Sequence, residues 1–392
     1  MKKKEIYIAS AVRTAIGSLN KTLKDIPADH LGSFVISESI KKSNLSKKDI
    51  DEIIMGQVLT GGSGQNPARQ AAIRSGIPIE KPAFIVNQVC GSGLRSIASG
   101  FQSIKSGHSN IIVAGGQENM SLTPHIIYLR NGKKLGNLNV TDSMIKDGLW
   151  DAFHDYHMGV TAENVADKFE ITRDEQDLFA INSQKKALSA QKENKFKDEI
   201  SNYEVKSKNT NFIFNIDEHQ RKEVNLDALK RLKPAFKKEG TVTAGNSSGI
   251  NDGAAAITLI SSEEAKKKNI QKIASIKSWA SCGVDPALMG TGPIPSIKKA
   301  LDFAGWSMED IDLFEINEAF AAQSIAVIKT LSIPSEKVNV NGGAIALGHP
   351  IGASGTRILV TLIHEMIKRN VNKGVAALCI GGGMGIAMCI ER

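Results

Sequence analysis

Long apolar runs are missing from this chain of 392 residues, whereas a membrane-spanning helix needs about 18 apolar residues in succession. The basic N-terminal residues are also not followed by the apolar segment that a signal peptide requires, because Arg13 interrupts the short run that is present. We therefore expect a protein that has no membrane partner and that acts in the cytoplasm.

Cysteine is scarce, since only four occur and no two have the Cys-x-x-Cys spacing of many metal and redox sites. Four cysteines in a chain of this length are too few for a disulfide framework. The sequence therefore predicts neither structural disulfides nor a metal site, and each thiol is expected to be either buried or catalytic. The four are Cys90, Cys282, Cys379 and Cys389.

Aromatic residues make up only 5% of the chain, whereas 35 glycines are present. The core is therefore expected to consist of Ile, Val, Leu and Ala, with tight turns where two backbones approach closely. With 41% hydrophobic and 23% charged residues, the composition excludes both a disordered chain and a fibrous repeat. The length favours two or three domains.

Acidic residues are outnumbered by basic ones, so that the formal net charge is +8 at pH 7. Positive charge suits an anionic partner, and nucleic acid, a membrane surface and a phosphorylated cofactor all qualify. A solvated surface explains a basic cluster equally well, and the scarcity of aromatic residues for base stacking weakens the nucleic-acid interpretation. The cluster comprises Lys206, Lys208, Arg221, Lys222, Lys230, Arg231, Lys233, Lys237 and Lys238.

An internal duplication is visible in the sequence. The string SKKDIDEIIMG (46–56) is repeated as SMEDIDLFEIN (307–317), at an offset of 261 residues. The string SGLR (92–95) is repeated as SGTR (354–357) at an offset of 262 residues, and each copy begins an amphipathic helical pattern. Two matches at nearly one offset predict two similar halves.

Each half alternates helical patterns with continuously apolar strands, which is typical of an α/β fold with a mostly parallel sheet covered by helices. Between the halves the pattern decays, apart from one good helix around 173–192, and such long excursions usually form lids or binding loops. We predict an N-terminal half (1–119 plus 250–270), an inserted loop domain (120–249) and a C-terminal half (271–392).

Cys90 is the first candidate for chemistry, because it follows an apolar strand and immediately precedes the helix that begins near Ser92. Unpaired backbone N–H groups and partial positive charge at a helix N-terminus can lower the pKa of a thiol from about 8.5 and can also bind an oxyanion. A purely structural cysteine is the alternative interpretation.

Three further residues occupy comparable positions in the second half. His349 lies just before the helix equivalent to that of Cys90, so that the symmetry of the duplication would bring the two helix starts toward one centre. Cys379 follows the apolar strand VAAL and is either a reactive thiol at a strand end or a packed core residue. Asn317 ends another strand, where its amide orients a water molecule or holds a loop.

Five sequence blocks resemble those of the thiolase family. They are NQVCGSGLR, GNSSGINDGAAA, NEAFAAQ, GHPIGASG and CIGGGMG, and they occur in the same order from Asn87 to the C-terminus. The resemblance covers essentially the whole chain. It implies two halves of βαβαβαββ topology in five layers (α-β-α-β-α), a loop domain inserted in the first half, and a homotetramer.

The resemblance also implies catalytic roles. Cys90 would accept the acyl group, His349 would activate it as a base, and Cys379 would act as acid and base at the Cα of the second substrate. Asn317 would hold a water molecule that, with His349, stabilises an enolate. The backbone N–H groups of Cys90 and Gly381 would form an oxyanion hole.

Coenzyme A thioesters are the substrates that the resemblance implies, with no tightly bound cofactor, and the basic cluster would meet the ADP phosphates. His157 and Met158, in the string YHMG, match family members that act on acetoacetyl-CoA, where they shape the acyl pocket. Ala228 and Ser247 depart from the residues that many relatives carry. The residues that match the coenzyme A tunnel are Leu149, Arg221, Ala244, Ser248, Ala319 and Phe320.

The reaction implied is the reversible Claisen condensation of two acetyl-CoA to acetoacetyl-CoA and CoA through an acetyl-cysteine. Cys379 favours this class over decarboxylating condensing enzymes of the same fold, which usually place histidine or asparagine there. A degradative 3-ketoacyl-CoA thiolase with a longer acyl pocket is the alternative. A nucleic-acid-binding protein on an inactive scaffold is a third interpretation, which the intact reactive residues disfavour.

Overall fold

A computed structural model describes residues 5–206 and 211–392, so that Lys208 of the basic cluster lies outside the described residues. The first half begins with strands β1 (Ile6–Arg13), β2 (Glu52–Gly56), β3 (Ala83–Val86) and β4 (Ile111–Asn119) and helices α1 (Ala28–Lys42), α2 (Pro67–Arg74) and α3 (Ser92–Ser106). The segment between β4 and the next long strand contains helices α4 (Met158–Lys168), α5 (Arg173–Lys192) and α6 (Leu226–Lys230) and the hairpin β5 (Tyr203–Lys206) and β6 (Asn211–Phe214).

The chain then returns to the central sheet. The remaining elements are β7 (Asn251–Ser261), α7 (Ser262–Lys268), β8 (Ala274–Gly283), α8 (Pro293–Ala304), β9 (Leu313–Ile316), α9 (Ala321–Leu331), α10 (Ala344–Leu347), α11 (Ser354–Arg369), β10 (Lys373–Ile380) and β11 (Met384–Glu391). Two-residue strands pair His125–Ile126 with Thr141–Asp142, and Trp150–Asp151 with Tyr156–His157, while Gly17–Ser18 pairs with β7.

The central sheet repeats one strand order in both halves. The first half has the order β3-β2-β4-β7-β1, and the second has β9-β10-β11-β8, with Val338 bridging to β9 in the place where β3 lies in the first half. The halves join where β1 meets β8, through the pairs Tyr7 with Ser275 and Ile8 with Ala274. The duplication read from the sequence is therefore a structural one.

The prediction of a mostly parallel sheet is wrong, because the sheet is mixed. Among these strands, β2 runs parallel to β3 and β4, and β9 runs parallel to β10, whereas β1, β7, β8 and β11 pair antiparallel with their neighbours. Strands buried on both faces are continuously apolar whatever their direction, so that this pattern alone does not reveal it. Every residue of β7, for example, is buried.

Helices cover and separate the two parts of the sheet, which gives the five layers expected. Helices α3 and α11 share one buried cluster with strands of both halves, whereas α1 and α2 pack outside the first half and α8 outside the second. The starts of α3 and α11 touch, because a Cβ added to Gly355 would lie 2.4 Å from the backbone nitrogen of Leu94. Thr356 Oγ1 donates a hydrogen bond of 3.0 Å to Gly93 O, so the predicted meeting of the two helix starts is confirmed.

Helix α5 in the segment between β4 and β7 has the bounds that the sequence indicates. Its start is fixed by a capping box, in which Thr172 accepts from the backbone of Glu175 and the Glu175 side chain accepts from Thr172. The fully buried Arg13 of β1 ties this segment to the sheet through ion pairs with Glu199 and Asp217, each at 2.7 Å. In residues 5–206 and 211–392, no helix combines the length and apolar character that crossing a membrane requires.

Candidate active site

Cys90 lies in a sharp turn between β3 and α3. The preceding residue, Val89, has a φ of +48°, which a β-branched residue rarely adopts because of steric strain. Two side chains hold the turn: Asn87 Oδ1 accepts from Val89 N at 3.0 Å, and Ser92 Oγ donates to Val89 O at 2.6 Å. Together they place the half-buried Cys90 at the start of α3, where the sequence predicts it.

The expected low pKa of this thiol is wrong. Burial raises the pKa of Cys90 to about 11, although hydrogen bonds from the backbone N–H groups of Gly381 and Cys90 itself act in the opposite direction. The charge of Glu118 raises it further. Loss of water therefore outweighs the helix terminus, and the resting thiol is neutral at pH 7.

His349 is buried, with 5% of its surface exposed, and both ring nitrogens have polar neighbours. Nδ1 lies 2.6 Å from Ser354 Oγ, and Nε2 lies 3.5 Å from the Asn317 side-chain nitrogen. Its backbone N–H donates to Asn251 Oδ1 at 2.9 Å, which ties the loop to β7. Burial, assisted by the positive charge of Arg357, lowers the pKa of His349 to about 3, so that the imidazole is neutral.

Cys379 and Asn317 lie at neighbouring strand ends. Cys379, near the end of β10, is 1% exposed, and burial together with the proximity of Cys90 raises the pKa of its thiol. Asn317 follows β9 directly, and its backbone N–H donates to Ala377 O at 2.9 Å. Within the part of the chain that the structure describes, the buried Asn317 Oδ1 has no hydrogen-bond partner, and it is therefore available to a small polar ligand.

One cavity of about 360 Å³ brings most of the predicted residues together. Cys90, His349, Cys379 and Gly381 line it, whereas Asn317 lies behind His349. The residues predicted to bind substrate line the same cavity, although they come from distant parts of the chain. They are Leu149, His157, Met158, Arg221, Ala244, Ser248, Ala319 and Phe320.

Several lining residues were not predicted. Phe236 stacks on His157 with ring centroids 4.7 Å apart and meets the edge of Phe320 at 6.2 Å. Met289 and His219 also line the cavity. No motif or periodicity marks these residues in the sequence. Phe236 and His219 lie on irregular segments, and Met289 lies in a short 3₁₀ helix (Pro286–Thr291), and only the fold brings them to the cavity.

The basic cluster divides between the cavity and the surface. Arg221 lines the cavity and donates to Ala244 O at 2.8 Å. Lys237 pairs with Asp167 at 2.9 Å on the surface, and Lys230 forms a longer surface contact with an aspartate. Lys230 and Lys237 therefore fit the interpretation of a solvated surface, whereas the contact of Arg221 with an anionic partner stays a prediction.

Glu118 supports the cavity from behind. Its buried carboxylate accepts backbone hydrogen bonds from Val58 at 3.0 Å, Leu59 at 3.2 Å and Gly352 at 2.9 Å. These bonds connect loops of both halves, one of which leads from His349 to α11. Burial raises the pKa of Glu118 to about 7, because the three N–H groups compensate only in part for the loss of water.

No group of three or more His, Cys, Asp or Glu side chains in the described ranges has an arrangement that could hold a metal ion. The reactive groups that line the cavity include two thiols, an imidazole and backbone N–H groups. These are the groups that an enzyme needs to carry an acyl group on a cysteine and to move a proton beside a thioester.

Comparison with known proteins identifies the family. The Thiolase, N-terminal domain family matches residues 6–263, and the Thiolase, C-terminal domain family matches residues 270–392. The chain belongs to the thiolase family, as its sequence blocks indicate.

Relatives match over their full length. An acetyl-CoA acetyltransferase of Shinella zoogloeoides is 56% identical over 100% of both chains, and a cytosolic acetyl-CoA acetyltransferase of Rattus norvegicus is 51% identical over 99% of this chain and 98% of its own. Among solved structures, Bacillus anthracis acetyl-CoA acetyltransferase has a TM-score of 0.97 at 42% identity over 99% of both chains. Human mitochondrial 3-ketoacyl-CoA thiolase has a TM-score of 0.97 at 40% identity over 100% of both chains.

Proposed function

We propose that this protein is an acetyl-CoA C-acetyltransferase, which joins two acetyl-CoA molecules into acetoacetyl-CoA and CoA and catalyses the reverse thiolysis. The observation that carries the proposal is the single cavity lined by Cys90, His349 and Cys379. The relatives named acetyl-CoA acetyltransferase, at 51 and 56% identity over essentially the whole chain, support it.

The first half-reaction loads the enzyme. Cys90 Sγ attacks the thioester carbonyl of acetyl-CoA and gives its proton to His349 Nε2. The C–S bond to CoA breaks, and the departing CoA thiolate takes a proton from Cys379. Acetyl-Cys90, a protonated His349 and a Cys379 thiolate result.

The second half-reaction forms the carbon–carbon bond. The Cys379 thiolate removes a proton from Cα of a second acetyl-CoA, and the raised pKa of this thiol makes its thiolate a strong base. The enolate attacks acetyl-Cys90, and the Cys90 thiolate leaves and recovers its proton from His349. All three groups then return to their resting state.

Two sets of hydrogen-bond donors are available to stabilise the negative charge that develops on oxygen during the reaction. The N–H groups of Gly381 and Cys90 already donate toward Cys90 Sγ, and we assign them to the oxyanion of the tetrahedral intermediate. A water molecule held by Asn317, together with His349, would stabilise the enolate. The unpartnered Oδ1 of Asn317 fits that role.

The cavity residues suit a short acyl group on coenzyme A. Bulky side chains surround the acyl end of the cavity. Met158 and Phe320 belong to one buried apolar cluster, and Phe236 packs against this cluster and stacks on His157. We assign Leu149, Arg221, Ala244, Ser248 and Ala319 to the coenzyme A contacts, and no resident cofactor is required.

A degradative 3-ketoacyl-CoA thiolase is the second candidate, since one solved neighbour bears that name. Its TM-score equals that of the acetyltransferase structure, so that the fold does not discriminate between the two activities. The relatives at 51 and 56% identity favour the acetyltransferase.

Thiolysis of 3-ketoacyl-CoA thioesters with four, six and eight acyl carbons tests the assignment. We expect the rate to fall at least about tenfold from four to six carbons, because a closed apolar pocket rejects added methylenes. Phe236→Ala should raise the relative rate with six carbons, since it removes the ring packed on His157. Equal rates across the panel would support the degradative alternative, and no thiolysis of any substrate would contradict both.

We also propose a homotetramer that acts in the cytoplasm. The segment between the short strands at His125–Ile126 and Thr141–Asp142 exposes apolar side chains, including Tyr128 at 85% and Leu135 at 88%. Such a patch is typical of a subunit contact. A monomer in light scattering at micromolar concentration would contradict the tetramer. All four cysteines are free thiols, which suits a reducing compartment.

A further inference from the structure

Ser354, the first residue of α11, is the polar neighbour of His349 on the side away from Asn317. Its Oγ lies 2.6 Å from His349 Nδ1, and 1% of its surface is exposed. It is absent from the residues that line the cavity, so that it contacts the imidazole but not the substrate.

The hydroxyl of Ser354 has a second partner, which fixes its direction. Its Oγ lies 2.8 Å from the carbonyl oxygen of Pro350, four residues earlier. A carbonyl can only accept and a serine has one proton to donate, so that the hydroxyl donates to Pro350 and accepts from a protonated Nδ1. The opposite direction would put the proton on Nε2, where it would face the nitrogen of the Asn317 amide, itself a donor, at 3.5 Å.

The first half contains the same arrangement at the matching helix start. Ser92 begins α3, donates to the carbonyl of Val89 at 2.6 Å and accepts from the backbone N–H of Gln88 at 2.9 Å. In both halves the serine therefore donates back to the preceding turn and accepts from an N–H group. In the second half that N–H group is the imidazole of His349 instead of the backbone.

We propose that Ser354 is a positioning residue that keeps the proton of neutral His349 on Nδ1, so that Nε2 is free to take the proton of Cys90. This inference rests on the proposed function, in which His349 is the base. When Nε2 gains the proton, Nδ1–H continues to donate to Ser354. Cys90, His349 and Ser354 thus form a triad in which the third member is a neutral hydroxyl, where hydrolases with a Ser-His-Asp triad use a carboxylate.

Ser354→Ala tests the positioning role, with Ser354→Thr as the conservative variant and Ser296→Ala as the matched control. Ser296 is buried in α8 and donates to Gly292 O, four residues earlier, at 2.9 Å, but it contacts no imidazole. Two quantities are measured: kcat and KM for acetoacetyl-CoA thiolysis, and the alkylation rate of Cys90 by iodoacetamide between pH 5 and 9, followed on the Cys90 peptide by mass spectrometry.

We expect Ser354→Ala to lower kcat by about 10- to 100-fold, because an imidazole without its partner is no longer held in one tautomer and orientation. KM should stay within about twofold, since Ser354 does not touch substrate. Alkylation of Cys90 at pH 7 should fall in parallel with kcat, Ser354→Thr should recover part of both, and Ser296→Ala should leave the alkylation rate unchanged.

An unchanged alkylation rate of Cys90 in folded Ser354→Ala would overturn the inference. An equal loss of alkylation rate in Ser296→Ala would also overturn it, because the role of Ser354 would then be only structural. The alkylation measurement does not depend on the substrate. If the unmodified protein showed no thiolysis, the proposed function would fail, while the alkylation rates of the variants would still decide whether Ser354 assists His349. If Ser354→Ala did not fold, Ser354→Cys would carry the same comparison, because a thiol is only a weak hydrogen-bond acceptor, and an unchanged alkylation rate of Cys90 in that variant would overturn the inference.

Discussion

The starts of helices α3 and α11 are equivalent parts of the duplicated fold, but one positions the thiol of Cys90 and the other positions the imidazole of His349. Five residues (87–91) connect β3 to α3, whereas fifteen residues (339–353) connect Val338 to α11. The short connection is a strained turn that ends with a half-buried thiol, and the long one contains a further short helix, α10, and a buried imidazole. The duplication therefore provides one frame, and the difference in loop length determines which group each half contributes.

Burial shifts the pKa values of Cys90 and His349 in opposite directions in the resting protein. Burial raises the pKa of Cys90 to about 11 and lowers that of His349 to about 3. A preformed thiolate–imidazolium pair is therefore unfavourable, and both groups stay neutral. In the proposed mechanism, the proton of Cys90 therefore passes to His349 only as the thiol bonds to an electrophilic carbon.

Among the changes predicted for these two helix starts, removal of the His349 imidazole should have the largest effect on reactivity. His349→Gln leaves a side chain that cannot take a proton, and we expect acylation of Cys90 by acetyl-CoA to slow by about 10²- to 10⁴-fold. Single-turnover mass spectrometry measures it. His364→Gln is the matched control, because His364 is a largely buried histidine of α11 that contacts Ala11 O. A loss below tenfold, or the same loss in the control, would contradict the role of His349 as base.

A smaller effect should appear in the pH dependence of stability. The folded protein keeps His349 neutral down to about pH 3, whereas the unfolded chain protonates it below about 6.5, so that the unfolded state binds more protons in this window. Stability contributed by the neutral imidazole is therefore lost as the pH falls. Between pH 7.5 and 5.5, the free energy of unfolding of the unmodified protein should fall by about 1.4 kcal/mol more than that of His349→Gln. Urea unfolding at both pH values measures this, and identical losses would show that His349 titrates normally.

The sequence predicted those features that local pattern determines. The Ser-Gly starts of α3 and α11 and the helical pattern around 173–192 are short-range signals, and the structure has these helices at the predicted residues. Strand direction could not be read, because burial on both faces removes the alternation that would reveal it. The raised pKa of Cys90 depends on burial by distant segments, and the contribution of Phe236 depends on the course of an irregular loop. Neither leaves a local pattern.

Acetyl transfer to Cys90 is the central claim, and the mass of the Cys90 peptide after incubation with acetyl-CoA tests it most directly. We expect an acetyl group on Cys90 in the unmodified protein and in Cys379→Ser, but none in Cys90→Ala. Condensation by Cys379→Ser should fall by orders of magnitude, because a serine hydroxyl is a far poorer base than a thiolate. An acetyl group on Cys379 in the unmodified protein, or no acetyl group on folded Cys379→Ser, would contradict the assignment.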